Sequence, residues 1–416
     1  MKGATAVRFG DVIADISAGV SLPAENRPPM AGEVGILTLS AVSGTHLNPN
    51  ACKAISAKYV SQLGPCVRGG TLLMSRSNTR ELVGSCVYVE ADILDRYLPD
   101  LIWAISVRSD ASCDIRWLVE YLRSESGRRN LLRVAAGTSG SMVKLSMDRL
   151  RDLRIPIPPM GVQKDIVNIG GSLDSVSSRL SLLIQAKRTF KCGLGQRLLA
   201  GQNRFPEFIR STERQAAQFG TVPKDWTVVH ISEIAEEIKV RGEVDGAVVY
   251  SCTKHDGLVP SLDYFGRQVF SRNLDGYKRL QGGDFAYATN HIEEGSIGLL
   301  RNGQPPGLVS PMYTVFRPGD KVNPEFLFAL LKTESYRRVF ETRMSASVDR
   351  RGSLRWKEFS RIKIGLPSIQ EQSHIVELLR LSALELDQLG RLRRLTDDKR
   401  RALLAQLVSG ERLLPT

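Results

Sequence analysis

The sequence predicts an α+β protein built twice on one plan, in which a mixed domain feeds a long helix. Three observations predict it. A stretch from Leu145 through Pro158 and Gln163 to Gly201 recurs, without a gap, from Leu354 through Pro367 and Gln372 to Gly410. Ahead of each copy lie short β-like runs punctuated by Gly, Pro and Asn. Within each copy, apolar residues fall three and four apart, the spacing of a helix that packs on another helix. Ile155/Ile364, Ile166/Ile375, Leu180/Leu389 and Leu198/Leu407 share one offset, which marks an internal duplication of long period.

In chain order, the opening Val7–Ile16 and its near copy Val229–Ile238 place apolar residues at helical spacing behind Gly10 or Ser232, so each is expected to start a helix. Their offset differs slightly from that of the long helices, implying a net insertion in the first variable half. Strands are expected at 35–40, 70–75 and 84–89, and again at 247–251, 283–288, 296–300 and 312–316. Helices are expected at Ile115–Leu122 and Pro324–Leu331.

The first long helix can begin only after Pro156, Pro158 and Pro159, which hold their predecessors extended. Its expected seam is Leu173, Val176, Leu180, Leu183, Phe190 and Leu194, interrupted by Lys187. The second helix offers Leu389, Leu392, Leu403 and Leu407 in register, with Leu378, Leu381 and Leu386 nearby. Arg391, Arg393, Arg394, Lys399, Arg400 and Arg401 are expected on its exposed face. Either helix alone would leave an apolar stripe in water, so the two should pack together. Gly170-Gly171, Gly193 and Gly195 each cost up to about 1 kcal/mol of helix stability and imply close approach or a bend. The polar Gln202–Gly220 segment, broken by Pro206, reads as a linker.

At 416 residues the chain should hold more than one core. Its net charge of +13 favours a polyanionic partner, nucleic acid before membrane; the alternative is a basic protein with no such partner. The six cysteines form no C-x-x-C pair, which fits single thiols in a reducing compartment. Met1-Lys2-Gly3 leads into polar sequence and no run of eighteen apolar residues occurs, so a cytoplasmic location without a membrane span is expected.

Catalytic signatures are missing. There is no phosphate-binding G-x-x-x-x-G-K-[ST] loop, no Asn-Pro-Pro-Tyr or Asp-Pro-Pro-Tyr tetrad and no H-E-x-x-H. Cys252-Thr-Lys-His255 offers too few ligands for zinc, and His291-Ile-Glu-Glu294 has no second cluster to complete a metal site. The chain is therefore expected to hold no metal or cofactor and to be non-catalytic.

The loops carry a different chemistry. In the first half they present Ser43 and His46, then Arg76, Ser77, Asn78, Thr79 and Arg80, then Ser139, Ser141 and Lys144. In the second they present Lys254 and His255, Asn290 and His291, and then Arg343, Ser345, Ser347, Arg350, Arg351 and Ser353. Arg, Asn, Ser and Thr hydrogen-bond to base edges and phosphates. Taken singly, each loop could be an ordinary polar connection; recurrence in both copies favours DNA.

The unit Ile155-Pro-Ile-Pro-Pro-Met-Gly-Val-Gln163 with Ile166-Val167, and its partner Ile364-Gly-Leu-Pro-Ser-Ile-Gln-Glu-Gln372 with His374-Ile375-Val376, resembles the conserved regions of type I restriction–modification specificity subunits. Val222-Pro-Lys-Asp-Trp226 followed by Ile231-Ser-Glu-Ile234 resembles the opening of a target-recognition domain. The chain departs from the pattern at Val162, where the family has Glu, and at the double glycine.

The resemblance implies recognition domains at 1–158 and 223–367, helical spacers at 159–202 and 368–416, and a linker at 203–222. It implies an antiparallel coiled coil of the two helices, which sets the distance between two half-sites of double-stranded DNA. It further implies docking of two methyltransferase (modification) subunits, which carry S-adenosylmethionine. A motor–nuclease (restriction) subunit using ATP and magnesium would join them for defence against phage. The alternatives are a self-contained DNA-processing enzyme and a coiled-coil scaffold.

Overall fold

The computed structural model describes residues 3–136, 142–218, 220–242, 246–345 and 352–411. The chain forms two compact units, Met1–Leu182 with Gly390–Thr416, and Leu183–Leu389. Two long helices, Met160–Leu199 and Ile369–Ser409, each contribute one half to each unit.

In the first unit, Thr5–Arg8 pairs antiparallel with Arg154–Ile157, Thr5 opposite Ile157. A four-stranded antiparallel sheet follows in the spatial order Ile13–Ala18, Ile102–Val107, Leu72–Ser75, Cys86–Tyr88. Both its faces are covered, which is why Leu72-Leu73-Met74-Ser75 reads as one unbroken buried run instead of alternating. Leu72 and Met74 face a core with Phe9, Trp117, Tyr121, Ile166 and Leu407. Leu73 faces a second core with Leu37, Val67 and Leu98, roofed by a five-stranded mixed sheet.

The second unit repeats the plan. Thr227–His230 pairs with Lys363–Leu366, Thr227 opposite Leu366. The four-stranded sheet runs Ala235–Glu237, Tyr313–Pro318, Phe285–Ala288, Ile297–Leu299. Phe285, Tyr287, Phe316, Phe326 and Phe359 fill one core, and Ala286, Val315 and Leu280 a second.

The expected helices after Gly10 and Ser232 do not form beyond a turn. Phe9–Val12 is one turn and Ile13–Ala18 is a strand; Ile231–Glu233 is one 3-10 turn and Ala235–Glu237 a strand. Pairing with Ile102–Val107 and Tyr313–Pro318 outweighs the local helical spacing. The helices Ile115–Arg123 and Pro324–Leu331 do form, capped by Asp114 and Asn323, whose carboxylate and amide oxygens accept from amides of the first turn.

One side chain ties each plan together. Gln163 is fully buried; it accepts from the Asp114 amide at 2.7 Å and donates to the carbonyls of Ser112 and Pro158. Gln372, also fully buried, accepts from the Asn323 amide at 2.7 Å and donates to Lys321 and Pro367. One amide thus joins the start of the long helix, the capped short helix and the prolines.

The long helices begin directly after the prolines and end at Gly201 and Gly410, both in the left-handed region with φ of 59° and 80°. Within the first unit they run antiparallel, with Asp174 on Arg400, Ser177 on Asp397 at 2.6 Å, and Ser181 near Arg393. Within the second, Lys187 meets Glu385 at 2.7 Å and Gly195 faces Leu379.

The seam differs from the expected one. Buried and half-buried positions run Ile166, Gly170, Leu173, Ser177, Leu180, Ile184, Lys187, Lys191, Leu194, Leu198, while Val176, Leu183 and Phe190 are exposed, Phe190 by 64%. Lys187 therefore sits in the seam and does not interrupt it. On the second helix Leu386, Leu389, Leu403 and Leu407 turn inward, and Leu381 and Leu392 outward. Arg400, expected outside, is only 6% exposed, held by Asp174 and Glu120.

The glycines have two fates. A Cβ on Gly170 would lie 3.6 Å from Leu404, and one on Gly195 3.2 Å from Leu379, whereas Gly171 and Gly193 face open space. Gly170 is the repeat equivalent of Leu379, and Gly195 of Leu404. The same glycine-on-leucine contact is thus made once in each unit with the roles exchanged.

The Gln202–Gly220 segment is pinned to its own unit. Arg204 is bidentate on Glu371 at 2.8 Å and also grips Asp225, and the Trp226 indole donates to Glu371. Glu371 is the repeat equivalent of Val162, which packs against its core with no arginine to receive. Arg214 caps the central helix by donating to the carbonyls of Ala200 and Gly201.

Candidate nucleic-acid interface

In the first unit, the strand Leu72–Ser75 leaves its sheet at Ser75, whose hydroxyl donates to the Leu82 carbonyl. The chain then crosses to Ser77–Asn78, which pairs antiparallel with Val143–Lys144. The Leu145 amide closes the junction on the Arg76 carbonyl at 2.8 Å. Arg128 holds the base of the loop through the carbonyls of Val83, Arg80 and Glu81. The fold thereby brings Arg76, Asn78, Thr79, Arg80 and Lys144 together from segments far apart in sequence.

Thr79, Arg80 and Lys144 are exposed; Asn78 is half-buried, its carbonyl oxygen accepting from the Thr79 amide. The Arg76 guanidinium lies 5.9 Å from the Trp103 ring centre, a cation–π arrangement that presets its direction. Ser77 is fully buried and its hydroxyl has no partner, so it shapes the loop and is not kept as a contact residue. Ser139 and Ser141 lie outside the described residues.

The second unit builds the same junction. Phe285–Ala288 ends at Thr289, whose carbonyl accepts the Leu354 amide at 2.8 Å, as Arg76 accepts Leu145. Asn290 is half-buried between two clefts of about 550 and 350 Å³. Ser353 lines the larger one. Arg343, half-buried, and Ser345 end the helix Glu334–Ser345 that leads there, while Ser347, Arg350 and Arg351 lie outside the described residues.

Other expected contacts lie elsewhere or are spoken for. The Ser43 hydroxyl donates to Leu39, and the adjoining carbonyls of Gly44 and Thr45 are held by Arg123. His46 faces Asp174 at 3.9 Å in a cleft that holds Glu90, Glu120, Arg116 and Arg123, where Arg400 already pairs with Asp174 and Glu120. Lys254 lies 2.8 Å from Glu294, His291 lies 3.6 Å from the same carboxylate, and His255 is exposed on the neighbouring turn. Lys254 holds the Glu294 carboxyl below its usual range.

Donor atoms of His291, Glu293 and Glu294 lie within 4.8 Å of one another, a convergence the linear spacing did not show. The Lys254 ammonium already supplies a cation to that cluster.

Sequence reasoning missed Lys278, Tyr313, Arg355 and Trp356, which line the larger cleft with Asn290. Burial pushes the Lys278 ammonium down, and its Nζ donates to the Tyr313 carbonyl at 2.5 Å. The strand that carries it, Lys278–Leu280, reads Lys-Arg-Leu, so no apolar pattern marked Lys278; only the alternation of burial along the strand turns it inward. Among the described residues, no helix is long and apolar enough to cross a membrane.

No protein-family model matches the chain. In sequence it is similar to the type I restriction enzyme MjaVIII specificity subunit of Methanocaldococcus jannaschii, 25% identical over 243 residues. That match covers 55% of this chain and 55% of the relative, so the chain spans about half the length of the curated protein it matches. A solved structure concerning complex assembly and conformational transition of the type I R-M system superposes with a TM-score of 0.52 and 16% identity, over 98% of this chain and 97% of that one. The HsdS subunit from Thermoanaerobacter tengcongensis gives a TM-score of 0.49 and 18% identity, over 98% and 96%. In sequence over about half of its length the chain resembles a type I restriction enzyme specificity subunit, and in fold along nearly its whole length it resembles a chain solved from the type I R-M system.

Proposed function

We propose that the chain is the DNA-reading specificity subunit of a type I restriction–modification complex, with one recognition domain for each half of a bipartite, asymmetric site. The observation that carries this reading is the repeated junction, Leu145 on Arg76 and Leu354 on Thr289. It mounts two chemically different loops on the same scaffold. One presents Arg76, Asn78, Thr79, Arg80 and Lys144; the other presents Asn290 and Ser353, with Lys278 beside them. Two unlike readers on equivalent mounts suit a site whose halves differ.

In this reading the chain itself performs no bond chemistry. The paired helices set the half-site separation and dock two modification subunits, which bring S-adenosylmethionine. A restriction subunit bringing ATP and magnesium completes the complex.

The test is a base-resolution map of adenine methylation in the source genome with and without this gene. A bipartite motif that disappears on deletion is the expected result. Unchanged methylation, together with failure to co-purify a methyltransferase-like subunit, would sink the proposal.

A further inference from the structure

In the second unit, the strand Gly257–Pro260 runs into a single turn, Ser261–Phe265, closed by Gly266 with φ 62°. The turn is anchored: Ser261 is buried, and its hydroxyl meets that of Ser251 on the adjacent strand at 2.7 Å. Beyond the anchor every residue from 262 to 269 is exposed. Four of them are large and apolar: Leu262, Tyr264, Phe265 and Val269. Tyr264 and Phe265 are 51% and 45% exposed, yet they brace one another edge to face at 5.0 Å. Soluble surfaces rarely leave so contiguous an apolar patch without an occupant.

Two observations identify the occupant. Val269 and Phe270 line the cleft of about 350 Å³ that also holds Asn290 and His291, so the segment that carries the two rings runs on into the reading loop's cleft. Arg267 and Arg272 are exposed on the same segment, two and seven residues along the chain from Phe265. That combination of rings and guanidinium groups suits a base stack flanked by phosphates.

We propose that Tyr264-Phe265-Gly266-Arg267 is a minor-groove wedge. An aromatic ring enters a base step beside the half-site read by Asn290, and Arg267 takes an adjoining phosphate. The wedge rests on the DNA-reading function proposed above. It adds readout of how easily that step unstacks, a property no base-edge contact senses.

The experiment uses the full chain and a pool of random-sequence duplexes. The enriched duplex is then resynthesised with 2-aminopurine at successive adenine positions. The expected result is a rise in fluorescence at one step on binding of the wild-type chain. The Tyr264→Ser/Phe265→Ser double variant should abolish that rise and bind roughly tenfold to a hundredfold more weakly. It should still select the half-site belonging to the first domain. A rise that persists in the variant, or binding by the wild type with no rise anywhere, overturns the wedge. Loss of a co-purifying methyltransferase-like subunit with DNA binding unchanged also overturns it and gives the patch to a protein partner. If the wild type enriches no motif, the DNA-reading function itself falls, and the wedge with it.

Discussion

A single buried amide does in each unit what several surface contacts could not. Gln163 and Gln372 each satisfy one backbone donor and two carbonyls that would otherwise be stranded in the interior. Gln372→Leu keeps the volume and removes all three bonds. We expect it to destabilise its unit by about 2–4 kcal/mol, read as a lower denaturant midpoint. Asp225 gives a pH test. Burial works to raise its carboxyl, but hydrogen bonds from Arg204 and the Arg210 amide outweigh it and hold it below its usual range. A depressed carboxyl stabilises the fold above its unfolded value, near 3.9, and loses that contribution as pH falls through the folded one. Asp225→Asn should therefore be less stable than wild type at neutral pH, with the gap closing below about pH 4. A gap independent of pH would show that the carboxylate charge contributes nothing. Arg76→Ala should change base preference in one half-site and leave the other intact, read from the methylated motif; uniform weakening would mark a phosphate contact.

At the scale of elements, the long helices show how a seam chooses its face. Two stripes at three- and four-residue spacing overlap on the central helix. The one with Val176, Leu183 and Phe190 points to solvent, while the inward one joins Gly170, Ser177 and Lys187 to Leu173, Leu180, Ile184 and Leu194. Two of the inward positions are glycine because the opposing helix supplies a leucine there. Leu404 fills the space over Gly170, and Leu379 that over Gly195. Gly195→Leu should overpack this contact and cost about 1–3 kcal/mol. Gly171→Ala meets no neighbour and should gain up to about 1 kcal/mol from helix propensity. Equal effects in thermal melts would show that Gly195 is not a packing device.

At the scale of the whole molecule, the proposed distance-setting role of the paired helices has a direct test. Four residues inserted into the central helix lengthen it by roughly 6 Å, close to two base pairs. The methylated motif should keep both half-sites and gain spacer. An unchanged spacer would remove the helices from that role.

The duplication, the helix starts after the prolines, the glycine stops and the paired glutamines were all legible in the chain, because each depends on a residue's own backbone preference or on recurrence at a fixed offset. The short strands after Val12 and Ile234 were not. Their local spacing is helical, and only pairing with strands far along the chain makes them extended.

The candidate interface was partly legible. Loop composition pointed to Arg76–Arg80, Lys144 and Asn290, but spacing could not show that Ser77 is buried, that His46 faces Asp174, or that Lys278 lines the cleft beside Asn290. The sequence by itself determined two copies of an α+β domain feeding a long helix, since periodicity and repetition are one-dimensional properties. Which stripe is buried, and which polar side chains converge, only the tertiary structure decided, because both depend on what the opposing segment presents.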